Sequence, residues 1–72
     1  MAKLPVCSGA EAVRAFERLG YEQVKRKNPY VRLVAEDRES LSVPQHRTLA
    51  TGTLRTLIRK SGFTVEEFSD AL

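Results

Sequence analysis

The chain has 72 residues, of which 42% are hydrophobic and 29% charged, as is typical of a small globular domain. We expect a single domain over residues 1–72, because so short a chain is near the lower limit for an independent core. No apolar run is long enough for a transmembrane helix. The single cysteine, Cys7, excludes an internal disulfide and favours a reducing cytoplasm.

Charge is unevenly distributed along the chain. Residues 1–60 contain all 12 lysines and arginines but only six of the nine acidic residues, and the last twelve residues contain three acids and no base. A basic body predicts a polyanionic partner, and nucleic acid is the leading candidate. The alternative is that these charges simply keep the surface solvated.

The first predicted element is a helix that begins after Ser8. Ser8 and Glu11 have the spacing of a capping box, in which each side chain satisfies the backbone N–H group of the other residue. Gly20 favours the left-handed conformation that ends a helix. Apolar residues recur three and four positions apart between these ends, at Ala12, Val13, Phe16 and Leu19.

Three strands joined by short turns follow, and they predict an antiparallel meander. The strands are expected at residues 21–27, 30–35 and 40–43, with turns at 28–29 and 36–39. The first strand alternates only weakly, so we expect it at an edge or facing solvent. Alternation places Gln23, Lys25 and Lys27 on one of its faces.

The loop after the third strand contains the only histidine. Pro44 cannot donate to a sheet ladder and therefore ends that strand. Either Thr51 or Thr48 is expected to cap the next helix, whose N–H groups then face a loop containing His46 and Arg47. Such a loop is a candidate phosphate site. The simpler alternative is an ordinary strand-to-helix connection with an exposed histidine.

Two helices complete the predicted α+β fold, of order α-β-β-β-α with a short C-terminal helix. The first of them ends at Gly62, and Thr64 with Glu67 forms a second capping box that opens the last helix. We expect a three-stranded antiparallel sheet packed on two helices. The predicted core includes Phe16, Leu54, Leu57, Ile58 and Phe68.

These motifs resemble the HicA (YcfA-like) family of small toxins from toxin–antitoxin pairs. The resemblance covers residues 8 to 69. It rests on Leu19-Gly20-Tyr21, Val31-Arg32-Leu33, Val43-Pro44 with His46 and Leu49, Gly52-Thr53-Leu54-Arg55, Ile58-Arg59, Gly62-Phe63-Thr64 and Glu66-Glu67-Phe68.

The resemblance implies a fold like that of a double-stranded-RNA-binding domain. It also implies mRNA cleavage without a metal or other cofactor, in the cytoplasm and away from membranes, and neutralisation by a HicB-type antitoxin. The family's catalytic histidine lies at the start of the second strand, and Tyr30 occupies that position here.

Tyrosine at this position changes the chemistry. Histidine exchanges a proton near neutral pH, whereas tyrosine, with an ordinary pKa of about 10, is a poor base. Tyr30 can still donate a hydrogen bond to phosphate or stack on a base. The chain is therefore a degenerate relative, a deliberately inactivated form, or an enzyme in which His46 has taken over catalysis.

Basic residues on the strands and in the loop are candidates for RNA binding. They are Lys25, Arg26, Lys27, Arg32 and Arg47. Double-stranded RNA is recognised largely through its shape and backbone, so such a domain needs positive charge. The alternative is that these residues are solvated charges that discourage edge aggregation. Cys7 is expected to be a buried packing residue and not a nucleophile.

Two further functions remain open beside the RNA-cleaving toxin. One is a non-catalytic module that binds RNA, the antitoxin or both. The other is an unrelated basic domain that binds double-stranded RNA and needs no antitoxin.

Overall fold

A computed structural model describes residues 3–27 and 29–72, except for the side chains of residues 25–27. Within these ranges three helices and three strands follow one another along the chain. The strands form one antiparallel sheet in the order β1-β2-β3. This confirms the predicted α+β class and the order α-β-β-β-α. The elements are α1 (Gly9–Arg18), β1 (Glu22–Lys27), β2 (Tyr30–Ala35), β3 (Arg38–Pro44), α2 (Thr51–Ser61) and α3 (Val65–Ala71).

Both predicted capping boxes are present. At the start of α1, the Glu11 N–H donates to Ser8 Oγ at 3.1 Å, and the Ser8 N–H donates to Glu11 Oε1 at 2.8 Å. Thr64 and Glu67 form the same pair of hydrogen bonds at the start of α3. Gly62 ends α2 in the left-handed conformation, with a φ of 81°.

The predicted cap of α2 is wrong. Ala50 is the N-cap residue and supplies no side-chain hydrogen bond, while Thr51 is already the first residue of the helix and Thr48 lies outside it. The reason is tertiary. Leu49 is buried and its N–H donates to the Cys7 carbonyl at 2.9 Å, which anchors the chain immediately before the cap.

The predicted boundary between the second turn and the third strand is also wrong. Only Glu36 and Asp37 form the turn, because Arg38 already pairs with Ala35 in the ladder. Asp37 has a φ of 64°, a left-handed conformation that Asp tolerates better than most residues. The first turn includes Pro29, whereas the predicted turn residue Asn28 lies outside the described residues.

Strand β1 lies at an edge of the sheet, as predicted, but its alternation is interrupted. Gln23 pairs with Leu33 and Lys25 pairs with Arg32, so Val24 forms an irregularity between them. This irregularity interrupts the simple alternation between Gln23 and Lys25. The predicted shared face of Gln23, Lys25 and Lys27 rests on side chains of residues 25–27, which lie outside the described part of the chain. A bulge of this kind shifts the register by one residue.

The helices cover one face of the sheet and enclose the core. Phe16 lies at its centre, with its ring centroid 4.9 Å from that of Phe68 and 5.6 Å from that of Tyr21. All five predicted core residues are buried. On the other face of the sheet, Arg32 and Ser42 are exposed. No helix within the described ranges has the length and apolar character needed to cross a membrane.

Candidate functional site

Two segments that are separate in sequence meet at one end of the sheet. The Gln45 N–H donates to the Pro29 carbonyl at 2.6 Å, and Tyr30 pairs with Pro44 in the ladder. The turn between β1 and β2 is therefore joined to the loop that contains His46. The structure brings the backbone of the two predicted catalytic residues to the same end of the sheet.

The loop between β3 and α2, residues 45–50, is held in place from both sides. The Gly9 N–H donates to the His46 carbonyl at 3.0 Å, and the Leu49 N–H donates to the Cys7 carbonyl at 2.9 Å. Between these two hydrogen bonds His46, Arg47 and Thr48 are exposed. The backbone of the loop is therefore anchored while three polar side chains remain accessible.

Glycine at position 9 permits this arrangement. A Cβ atom there would overlap the Pro44 carbonyl oxygen and lie 2.8 Å from Gln45 Cα. The first turn of α1 can therefore lie directly against the end of β3. Neither Gly9 nor Gln45 was predicted from the sequence to belong to this site. A glycine within the first turn of a helix is nevertheless a usable signal that another backbone segment approaches closely.

The start of α2 is electrostatically suited to an anion. Its N-cap residue Ala50 makes no side-chain hydrogen bond, and its first turn contains no acidic residue. The first N–H groups of a helix have no partner within the helix, and they carry the positive end of its dipole. Arg47 lies three residues before the cap and is exposed.

The other predicted RNA-binding residues lie along the sheet. Arg32 is exposed on β2, two residues from Tyr30, which is itself 51% exposed. The Arg32 guanidinium lies 3.5 Å from Ser40 Oγ. Lys25 and Lys27 pair in the ladder with Arg32 and Tyr30.

Arg26 pairs with Val31, the buried residue between Tyr30 and Arg32. The side chains of the three consecutive basic residues of β1 lie outside the described part of the chain. The ladder nevertheless puts the backbone of this basic segment beside the exposed residues of β2. Five predicted RNA-binding residues therefore lie on β1, on β2 and in the loop before α2.

Cys7 is a packing residue, as predicted. Its side chain is 4% exposed, and burial, followed by the charge of Glu11, raises the pKa of its thiol. A raised pKa keeps the thiol protonated and therefore weakly nucleophilic. The part of Cys7 that contributes to this region is its carbonyl oxygen. Among residues 3–27 and 29–72, no three His, Cys, Asp or Glu side chains form a possible metal-binding group.

The fold and this surface define a small α+β domain with an anchored, polar strand-to-helix loop. The family model described as the HicA toxin of bacterial toxin–antitoxin matches residues 9–63, from the first residue of α1 to just beyond α2. The match covers more than half of the chain, and the chain belongs to the HicA toxin family. It is therefore a toxin of the toxin–antitoxin type. A search of curated proteins finds no match.

Proposed function

We propose that this chain is an endoribonuclease that cleaves mRNA in the cytoplasm, is neutralised by a HicB-type antitoxin, and is impaired because Tyr30 replaces the catalytic histidine. The observation that supports this most directly is the meeting of the Tyr30 turn with the His46 loop at one end of the sheet. The family match covers both segments.

The surface around this end of the sheet is suited to the phosphate backbone of RNA. The N–H groups at the start of α2 and the Arg47 guanidinium provide donors and positive charge for a phosphate group. Arg32 is exposed on β2, and the backbone of Lys25 and Lys27 pairs with that of Arg32 and Tyr30, so the sequence supplies further positive charge along the sheet. Contacts of this kind position an RNA strand without reading its sequence.

Cleavage needs a group that exchanges protons near neutral pH. The 2′-oxygen of RNA attacks the adjacent phosphorus while the bond from phosphorus to the 5′-oxygen breaks. One proton leaves the 2′-hydroxyl and one is delivered to the 5′-oxygen, so a base and an acid are both required. Tyr30 performs the first task poorly, and His46 provides the only imidazole of the chain.

A non-catalytic module is the second candidate function. The exposed phenol of Tyr30 favours it, because an aromatic hydroxyl can donate to phosphate or stack on a base without exchanging a proton. In that case the chain retains its partners, RNA or the antitoxin, and lacks only the chemical step.

The test compares growth arrest and RNA cleavage for the unchanged chain, His46→Ala, Tyr30→His, and Tyr30→His combined with His46→Ala. Thr56→His is the matched control, because Thr56 is exposed on α2 and adds an imidazole away from the proposed site. We expect toxicity and cleavage to appear with Tyr30→His, to survive the loss of His46, and to be absent from the control.

The other outcomes separate the remaining explanations. Cleavage by the unchanged chain that is abolished by His46→Ala alone identifies His46 as the catalytic group. If every variant is harmless and none cleaves RNA, the endoribonuclease proposal is wrong. Persistent binding of RNA or antitoxin by those harmless variants then favours the non-catalytic module.

A further inference from the structure

A cavity of about 180 Å³ lies between α1 and the sheet, next to the proposed active end. Val13 and Val31 form part of its lining and are buried, which provides an apolar base. Gln45 lines one side, and its N–H donates to the Pro29 carbonyl, so the cavity borders the turn that leads into Tyr30. Drug-sized sites range from about 300 to 1,000 Å³, and this smaller cavity suits a single planar ring system.

Polar side chains surround the apolar base. Arg14 and Glu17 are exposed at the opening on α1, and Gln23 of β1 also lines the cavity. The Gln45 amide nitrogen donates to the Val43 carbonyl at 3.1 Å, which leaves the amide oxygen as its acceptor. Two residues that line the cavity, Gln45 and Glu17, therefore have an acceptor group without a described hydrogen bond, and Arg14 adds a planar guanidinium to the same lining.

We propose that this cavity binds one unstacked nucleobase of the RNA, and that it selects a base with an exocyclic amino group over uracil. The inference rests on the proposed function and adds a recognition site to it. Single-stranded RNA is read through bases that leave the stack and present their edges to the protein. Adenine, cytosine and guanine each have an amino donor for the two acceptors, whereas uracil has carbonyl oxygens on both sides of one N–H.

The position of the cavity explains how it would act together with the proposed active end. Gln45 contributes to both, through its backbone to the turn and through its side chain to the cavity. Tyr30 and Val31 are neighbours on β2 whose side chains lie on opposite faces of the sheet, so an RNA strand that contacts both would pass around the end of the sheet beside Gln45. Selection of the base in the cavity would set the sequence at which the chain binds.

The test measures the affinity of the whole chain for 2′-O-methylated oligouridine and for three versions with a single central A, C or G. Methylation prevents cleavage, so binding is measured alone. We expect at least one amino-bearing base to bind about fivefold more tightly than uridine, which corresponds to one ordinary hydrogen bond. The methyl NMR signals of Val13 and Val31 should shift with that oligonucleotide.

Two variants at exposed positions probe the cavity itself. Glu17→Gln weakens an acceptor, and its control Glu22→Gln makes the same charge change outside the cavity lining. Ala10→Leu adds bulk at the lining, and Thr56→Leu places the same side chain at an exposed position on α2, outside the cavity lining. We expect both cavity variants to reduce the preference to less than about twofold, while both controls retain it.

Several results would overturn the proposal. Equal affinity for all four oligonucleotides removes the nucleobase site and leaves the proposed RNA binding intact. A preference that survives Ala10→Leu, or that arises without shifts at the two valines, places base recognition elsewhere. If no oligonucleotide binds at all, the proposed function itself is wrong, and this site is wrong with it.

Discussion

Replacing Gly9 with alanine should separate α1 from the loop that contains His46. The added Cβ would overlap the Pro44 carbonyl oxygen and lie 2.8 Å from Gln45 Cα, and both of these are backbone atoms that cannot rotate away. The helix must therefore move away from the end of β3. That movement lengthens the 3.0 Å hydrogen bond from the Gly9 N–H to the His46 carbonyl.

The expected cost follows from three contributions. Overpacking of a tight contact costs about 1–3 kcal/mol, and the hydrogen bond is worth about 1 kcal/mol. Alanine has a better helix propensity than glycine, which returns about 1 kcal/mol at most. We therefore expect the free energy of unfolding to fall by about 2 kcal/mol. For a domain of this size, this corresponds to a decrease in Tm of about 8–16 °C.

Thermal and urea unfolding, followed by circular dichroism, measure this change. Gly52→Ala is the matched control, because Gly52 is in the first turn of α2, has no positive φ, and has no atom within 4 Å of its added Cβ. We expect the control to be neutral or up to about 1 kcal/mol more stable. If Gly9→Ala is as stable as the unchanged chain, or if both variants lose the same free energy of unfolding, the close approach of α1 to β3 does not require glycine at position 9.

Two further predictions concern stability. The Arg38 guanidinium donates to the Ser61 carbonyl at 2.6 Å and lies 3.7 Å from the Phe63 ring centroid. Because Arg38→Met removes both contacts, it should lower the free energy of unfolding, measured in urea, by about 2 kcal/mol. The control Lys60→Met should lower it by less than about 1 kcal/mol. Equal losses in these two variants would contradict the role of Arg38. The hydrogen bonds at the N-cap lower the pKa of Glu11 from its ordinary value of 4.5, so its stabilising effect is complete above that value and is lost as pH falls through the lowered pKa. Urea unfolding at a series of acidic pH values should therefore show a weaker loss of stability for Glu11→Gln than for the unchanged chain, and parallel profiles would rule out this contribution.

Local sequence determined the features that depend only on neighbouring residues. The two capping boxes form as predicted because Ser8 and Thr64 each have a glutamate three residues later, within reach of the same turn. Gly62 ends α2 because glycine adopts a positive φ without a steric penalty.

Only the tertiary structure decided how these elements meet. Contact with Cys7 anchors Leu49 and so moves the start of α2 to Thr51, and no local pattern encodes a contact 42 positions away in the chain. The bulge at Val24 and the hydrogen bond from Gln45 to Pro29 depend on how strands pair. Side-chain types suggested which residues could act on RNA, whereas their meeting at one end of the sheet required the folded chain, because strand pairing joins segments that are distant in sequence.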